Sequence, residues 1–530
     1  MRHRKTTRSL FVFAALWGML FTATFGATNP ISWGGVVNVT DAASVGKSET
    51  PSIGAIGPND DADPDDEVNG WLMTRPEDGI GVWTVQCQVA LTCVITVTVT
   101  TLLDDGVPAP GVWVEAKGIA QPGGLLAERV RIDDYEAQEI VVRLRDGVSP
   151  TSFAQRHDLT LKSSLLASAN IYLFVTDDDE EEEIDEVRSE SDVVWAELNY
   201  TQRVPGGDGY KTWRWGGEDG AGYVNQQAFF QVNLAPALEV TQGQGAVVAV
   251  LDTGVHLAHP DLAPRLLPGR DVVADDAEAQ DEGPGFGWGH GTHVAGVIAR
   301  MAPQSKILPV RVLDANGRGN VFTLAYAIEW AVQEGADVIN LSLGAEGDSQ
   351  VLADAINNAQ TQGVVVVAAA GNDDVNALQY PAGYAGVLGV TAVDDQNSKA
   401  AFANYGSHWI DLAAPGVGIT STVPYSGGVG YASWSGTSMS TAFVSGASAL
   451  VRAARPDATA NEIGAQLIEA GANLDAANPG YVRQLGVLLD VGATLTEGAP
   501  APPPSPAPSP EPSPVATPHV SAYLPLITNR

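Results

Sequence analysis

From about residue 240 the chain repeats one pattern. Short, almost uninterrupted apolar runs appear at AVVAVLD (246–252), KILPVRVL (306–313), ADVINLSLG (336–344), GVVVVAAAGN (363–372) and GVLGVTAV (386–393). Stretches with helical spacing lie between them at 320–334 and 348–361. A strand that is apolar on both faces must be covered on both. Such runs alternating with helices predict a buried, mostly parallel sheet in an α/β layer arrangement. Two more helices, near 438–453 and 459–471, are predicted to cover one face.

The upstream half has a different texture. Residues 68–135 alternate like strands (GVWTVQCQV, CVITVTVTTLL, GVWVEAKGIA, LLAERVRI) and predict a small all-β module. Residues 138–200 mix two periods. AQEIVVRLRDG and ANIYLFVT read as strands, SPTSFAQRHDL as a helix, and EIDEVRSESDVVWAELNY as a helix and a last strand, which makes a compact α+β domain. The acidic run DDDEEEEIDE (177–186) reads as a solvated loop interrupting it. Residues 201–227 have many glycines and aromatics with weak periodicity, and read as a linker or extended arm.

The ends read as targeting and spacer segments. Residues 1–27 place a basic head (Arg2, Arg4, Lys5, Arg8) before an apolar run from Leu10 to Phe25 with small residues after it. That is the form of a secretory signal and is short for a membrane span. Residues 28–67 read as a flexible acidic lead. Residues 497–519 are proline-rich and predict an extended spacer. The tail 520–530 leaves two readings open, a sorting or cell-surface signal and an end of no consequence. Export would let Cys87 and Cys93, the chain's two cysteines, oxidise into a small loop; free thiols are the other reading.

Charge narrows the partners. Sixty-three acidic residues stand against 28 basic ones, for a formal net charge of −35. A phosphate backbone would be repelled, which argues against nucleic-acid binding.

Parallel α/β sheets gather their sites at the carboxyl ends of strands. Asp252 ends the first run, His290 opens a helix in GHGTHVAGVIA, Asn372 follows another run in AAAGN, and Ser438 starts the helix of SGTSMS. Taken singly each has an ordinary use as a cap or turn residue. Together they supply a nucleophile, a base, a carboxylate to orient the base, and an amide donor for an oxyanion. A helix start at Ser438 adds unpaired N–H groups beside that charge. The pair His290 and His293 lacks a third ligand at zinc spacing. The G-x-S-x-G elbow of the α/β-hydrolases is absent.

The segments VAVLDTGVHLAHPDL, GHGTHVAGVIA, AAAGN and SGTSMS, in that order, resemble those of the subtilisin-like serine proteases, over roughly residues 228–492. The resemblance implies a secreted endopeptidase that needs no cofactor for its chemistry and acts on extended polypeptides. It assigns Asp252, His290 and Ser438 to the triad, Asn372 to the oxyanion hole, and His293 to a structural place. It implies cleft walls at Ser342, Leu343 and Gly344 and at Ala369, Ala370 and Gly371, a calcium ligand at Asp261, and a cis proline at Pro381. The family usually continues GTSMASPHVAG; here GTSMSTAFVSG puts Ala442 and Phe443 where proline and histidine stand. Residues 138–200 are more loosely similar to the family's inhibitory propeptide, which implies a zymogen whose own pro-segment blocks the cleft and is cut off somewhere in 200–240.

Overall fold

The computed structural model describes residues 66–496, apart from 77–78, 89–90, 104–112, 133, 178–179, 206–212, 219, 346 and 426–427. The signal segment, nearly all of the acidic lead, the spacer and the tail lie outside the described residues.

The predicted apolar runs form the centre of one sheet. Its strands lie in the order 270–271, 306–311, 247–252, 338–341, 365–369, 388–393, 412–415, 487–488 and 472–473. All neighbours are parallel except the last pair. Alternation along each strand divides the core into two layers. Val248, Val250, Val338, Val365 and Val367 face the helices His290–Met301 and Thr437–Ala454. Ala249, Leu251, Ile339, Val366 and Ala368 face the helices Val321–Gln333 and Gln350–Thr361.

Thr437–Ala454 is the most enclosed helix, with Thr437 through Val451 all buried. Its many small residues let it sit that deep, and its hydroxyls find acceptors inside. Ser440 donates to the Ala414 carbonyl and Ser445 to Asn340 Oδ1, both at 2.9 Å. The departure at 442–443 has a packing reason. Phe443 is fully buried and its ring lies 5.2 Å from that of Phe229. An apolar contact fills the place of the usual histidine, and Ala442 keeps a helix-forming residue in the place of the usual proline.

Residues 135–203 supply four strands of a five-stranded antiparallel sheet whose order is 318–320, 193–203, 135–144, 171–175 and 160–163. Ile140, Val142, Phe153, Phe174 and Ile184 make a core of their own on one face. Val141, Ile171 and Leu173 on the other face join the layer of the helices 321–333 and 350–361.

Two expectations change here. The acidic run is largely helical, since Glu180–Arg188 forms a helix with glutamates through its first turn. Acidic side chains are favoured at that end, where unpaired N–H groups point outward. Residues 201–227 are not a plain linker. The strand 193–203 runs on through Arg203, Trp213–Glu218 pairs with 428–434, and Gly220–Asn225 is a helix. Ladder bonds to distant segments set these conformations, so local periodicity carries no sign of them.

Upstream, the strands within 66–132 form a six-stranded sheet around Trp83, Val85, Ile95, Val114 and Val130. Cys93 is disulfide-bonded, and Cys87 is the chain's only other cysteine. Among the described residues no helix is long and apolar enough to cross a membrane.

Candidate active site

Asp252, Ser342 and Asn372 all stand at the carboxyl edge of the sheet, at the ends of adjacent strands or just past them. Asp252 is the last residue of its strand and fully buried. Its Oδ1 lies 2.7 Å from Nδ1 of His290, the first residue of the His290–Met301 helix. The same oxygen accepts the Thr253 N–H at 2.7 Å. With Nδ1–H donating to the carboxylate, the neutral ring carries its lone pair on Nε2.

Two glycines make the approach possible. Gly289 takes φ 92°, a left-handed turn into the helix. A Cβ on Gly291 would meet the Gly254 carbonyl oxygen at 2.2 Å and Asp252 Cβ at 3.0 Å. Only a glycine lets the first turn of the helix lie this close to the carboxylate.

Ser438 is the second residue of the helix Thr437–Ala454, which packs against the His290 helix. Its Oγ lies 3.4 Å from the Ser342 carbonyl, and its own carbonyl accepts the Ser342 hydroxyl at 3.0 Å. Asn372 reaches the same loop. Its Oδ1 accepts from Thr437 N–H at 2.9 Å and Thr437 Oγ1 at 3.0 Å. Its Nδ2 donates to the Pro205 carbonyl at 2.9 Å.

The cleft is occupied by the chain itself. Thr201, Gln202 and Arg203 pair antiparallel with Asn320, Gly319 and Arg318. On the other side Arg203 N–H donates to Gly344 O at 3.1 Å, and Arg203 O accepts Gly344 N–H at 2.8 Å. Val204 N–H donates to Gly317 O at 3.0 Å. Of the expected wall residues, Gly344 thus pairs with an extended segment and Ser342 touches Ser438, while Leu343 is buried in the core. The second expected wall does not pair with it. Ala369 lies inside the sheet, Ala370 N–H donates to Val390 O, and the Gly371 carbonyl accepts from Asn404 N–H. Those backbone groups bond to the adjoining strand and to Asn404. The strand Arg318–Asn320 is the one that pairs with the segment on its other side. DANGRGN, with Gly317 in a left-handed turn at φ 77°, was the sequence signal for it.

The upstream sheet is tied to this region by side chains. The buried Glu197 carboxylate accepts Gln350 N–H at 2.7 Å, Val351 N–H at 2.9 Å and the Ser349 hydroxyl at 3.0 Å, capping one helix. Asn199 Oδ1 accepts Phe322 N–H at 3.2 Å at the start of the other. Gln202 is less well served. It is fully buried and neither atom of its side-chain amide has a hydrogen-bond partner, which works against tight seating of the segment.

Asp261 is hydrogen-bonded within the protein. Its Oδ2 accepts the Tyr431 hydroxyl at 2.6 Å, and among the described residues no group of three or more His, Cys, Asp or Glu is placed to hold a metal. The Tyr380–Pro381 peptide is cis.

Two buried groups frame the site. His293 Nε2 lies 3.0 Å from Ile419 O and 3.2 Å from Ala432 O, and its ring stacks on Trp434 at 4.6 Å. Burial holds its pKa down to about 3. Asp281, not singled out in the sequence, lies behind Asp252. It accepts the Gly289 N–H at 2.9 Å and bonds to both Thr292 and Thr253. Burial pushes its carboxyl up to about 7 against those bonds.

These two act in opposite senses on stability. Between pH 3 and 6.5 an unfolded chain protonates His293 and the native state does not, so this contribution makes stability rise with pH. Between pH 3.8 and 7 the native state holds a proton on Asp281 that the unfolded chain has released, so this contribution makes stability fall with pH. Each is on the order of 4 kcal/mol, and the two oppose each other between about pH 4 and 6.5. Asp281→Asn removes the falling contribution, so stability is expected to rise more steeply with pH between about pH 4 and 6.5 than it does in the parent protein. Urea unfolding midpoints across that range test it; parallel curves for the two proteins would refute the assignment.

A parallel sheet that brings an aspartate, a histidine and a serine to one edge is the architecture of a serine hydrolase. The sequence profile of the subtilase family matches residues 243–487. Subtilisin BL of Lederbergia lenta is 42% identical over 245 residues, which are 44% of this chain and 87% of that protein. Thermitase of Thermoactinomyces vulgaris is 42% identical over 231 residues, 42% of this chain and 80% of its own. Among solved structures, fervidolysin from Fervidobacterium pennivorans, a keratinolytic enzyme related to subtilisin, aligns with a TM-score of 0.58 at 25% identity. The alignment covers 69% of this chain and 62% of that one. The chain belongs to the subtilase family and is a serine endopeptidase.

Proposed function

We propose that this protein is a secreted zymogen whose mature form cuts extended polypeptides with Ser438 as nucleophile, and whose residues 138–205 act as its intramolecular inhibitor. Ser438 Oγ adds to the substrate carbonyl while His290 Nε2 takes its proton. Asp252 holds the ring in that tautomer and stabilises the imidazolium. The oxyanion is met by Asn372 Nδ2 and by the Ser438 backbone N–H, one of the unpaired donors of its helix. His290 then protonates the leaving amine, and water releases the acyl group by the reverse path. Every proton and developing charge in this scheme is handled by a protein group.

The observation that carries the reading is the Asn372 side-chain amide. It is anchored to Thr437, next to the nucleophile, and donates to a carbonyl of an extended strand. Backbone pairing on both sides of that strand gives affinity with little demand on sequence, which suits a general endopeptidase. Export rests on the amino-terminal pattern and on family membership. Inhibition in cis is supported by the ladder through 201–204 and by the two helix starts held by Glu197 and Asn199. A serine-directed fluorophosphonate is expected to label Ser438 in the processed protein and not in the chain with 138–205 still seated. A folded, processed protein that stays unlabelled would sink the proposal.

A further inference from the structure

The geometry points to one peptide bond, that on the carboxyl side of Pro205, as the bond this chain cuts in itself. The inference rests on the zymogen reading and adds the position.

Four contacts determine the register. The ladder pairs 201, 202 and 203 with 320, 319 and 318. Arg203 uses both its backbone groups on Gly344. Val204 donates to the Gly317 carbonyl and lies over that glycine, where an added Cβ would meet Val204 Cγ2 at 2.6 Å. Pro205 then offers its carbonyl to Asn372 Nδ2 at 2.9 Å. A slip of one residue reverses the side on which each carbonyl lies, so Val204 cannot take this place without breaking the ladder. A slip of two would bring the Arg203 carbonyl, which is already held by Gly344 N–H at 2.8 Å. Pro205 therefore supplies the acyl group.

The step balances with water as its only further reagent. A bond forms between Ser438 Oγ and the Pro205 carbonyl carbon, and the serine proton passes to His290. The bond to the Gly206 nitrogen breaks, and that nitrogen leaves with the proton. Water then hydrolyses the ester, leaving a carboxylate on Pro205 and a free amine on Gly206. Proline has no N–H to offer the cleft, so the backbone bonds of Arg203 and Val204 hold the segment for this step.

The test uses the full chain, as wild type and as Ser438→Ala, sampled early, with both new ends read by mass spectrometry. The wild type is expected to yield a first fragment ending at Pro205 and a partner beginning at Gly206, and the Ser438→Ala chain to stay joined there. Arg203→Pro, which removes the N–H held by Gly344, is expected to slow that cut at least tenfold. A first cut at another bond, absent in Ser438→Ala, overturns this assignment and leaves the zymogen reading standing. Equal cutting at Pro205 in the Ser438→Ala chain overturns self-cleavage. A wild-type chain that hydrolyses added protein with 138–205 still attached overturns both.

Discussion

Exchanging Ser438 for alanine is expected to lower the turnover of the mature enzyme by roughly 10⁶, a size that is subtilisin's own for removal of its triad serine. The loss is this large because no neighbour can replace the hydroxyl. Ser440 donates to the Ala414 carbonyl and Ser435 accepts the Gly418 N–H, so each is committed elsewhere. The fold should be little affected. Alanine suits a helix, and the single bond lost, to the Ser342 carbonyl, is long at 3.4 Å. Residual activity over water, from substrate binding and the oxyanion donors, is expected on the order of 10³. Adding His290→Ala to Ser438→Ala should change little more, because the two act as one unit. Active-site titration and turnover on an unfolded protein substrate decide the matter; a Ser438→Ala enzyme within about a hundredfold of the parent would exclude this serine as nucleophile.

The second large effect is expected at Asn372. Truncation to alanine removes the donor that meets the developing oxyanion, and the loss in kcat should be roughly 10²–10³, again the scale measured for subtilisin's asparagine. KM should move by no more than about threefold, since the interaction strengthens only as charge develops on the oxygen. The same side chain also acts as an acceptor, because its Oδ1 holds the Thr437 N–H and hydroxyl. Asn372→Asp keeps that acceptor and removes the donor. Both variants should lose turnover if donation is what matters. If the aspartate variant kept normal turnover, the role of Asn372 would be to hold the Thr437 loop, and the oxyanion would have another donor.

Much of the architecture was legible because its causes are local. The runs at 247–252, 338–341 and 365–369 are apolar on both faces, and only a covered parallel sheet accommodates that. The helix starts at His290 and Thr437 were marked by glycines and small polar residues. The acidic run at 177–186 departs from a loop because charge alone does not distinguish a loop from a helix start, where four consecutive glutamates are well placed. Residues 201–227 departed from the linker expectation, and met the extended-arm one at 201–204, for the opposite reason. Their backbone bonds go to residues 317–320, 344 and 428–434, partners that no local window contains. Whether a strand edge is open depends on its neighbours: Ala369 and Ala370 bond through their backbone to the adjoining strand, while Gly344 pairs with the segment at Arg203.

The order of residues along the chain therefore determined the chemistry on offer, namely which acid, base, nucleophile and amide donor exist and that each lies at the end of a strand or the start of a helix. Tertiary structure decided which backbone enters the cleft, and that the carbonyl beside Asn372 is that of Pro205. It also decided that Asp281 and His293 are sealed from water with shifted ionisation. The division has one physical cause. Periodicity and capping act over a few residues and are written in the sequence, whereas strand partners and desolvation depend on distant segments and exist only once the chain has folded.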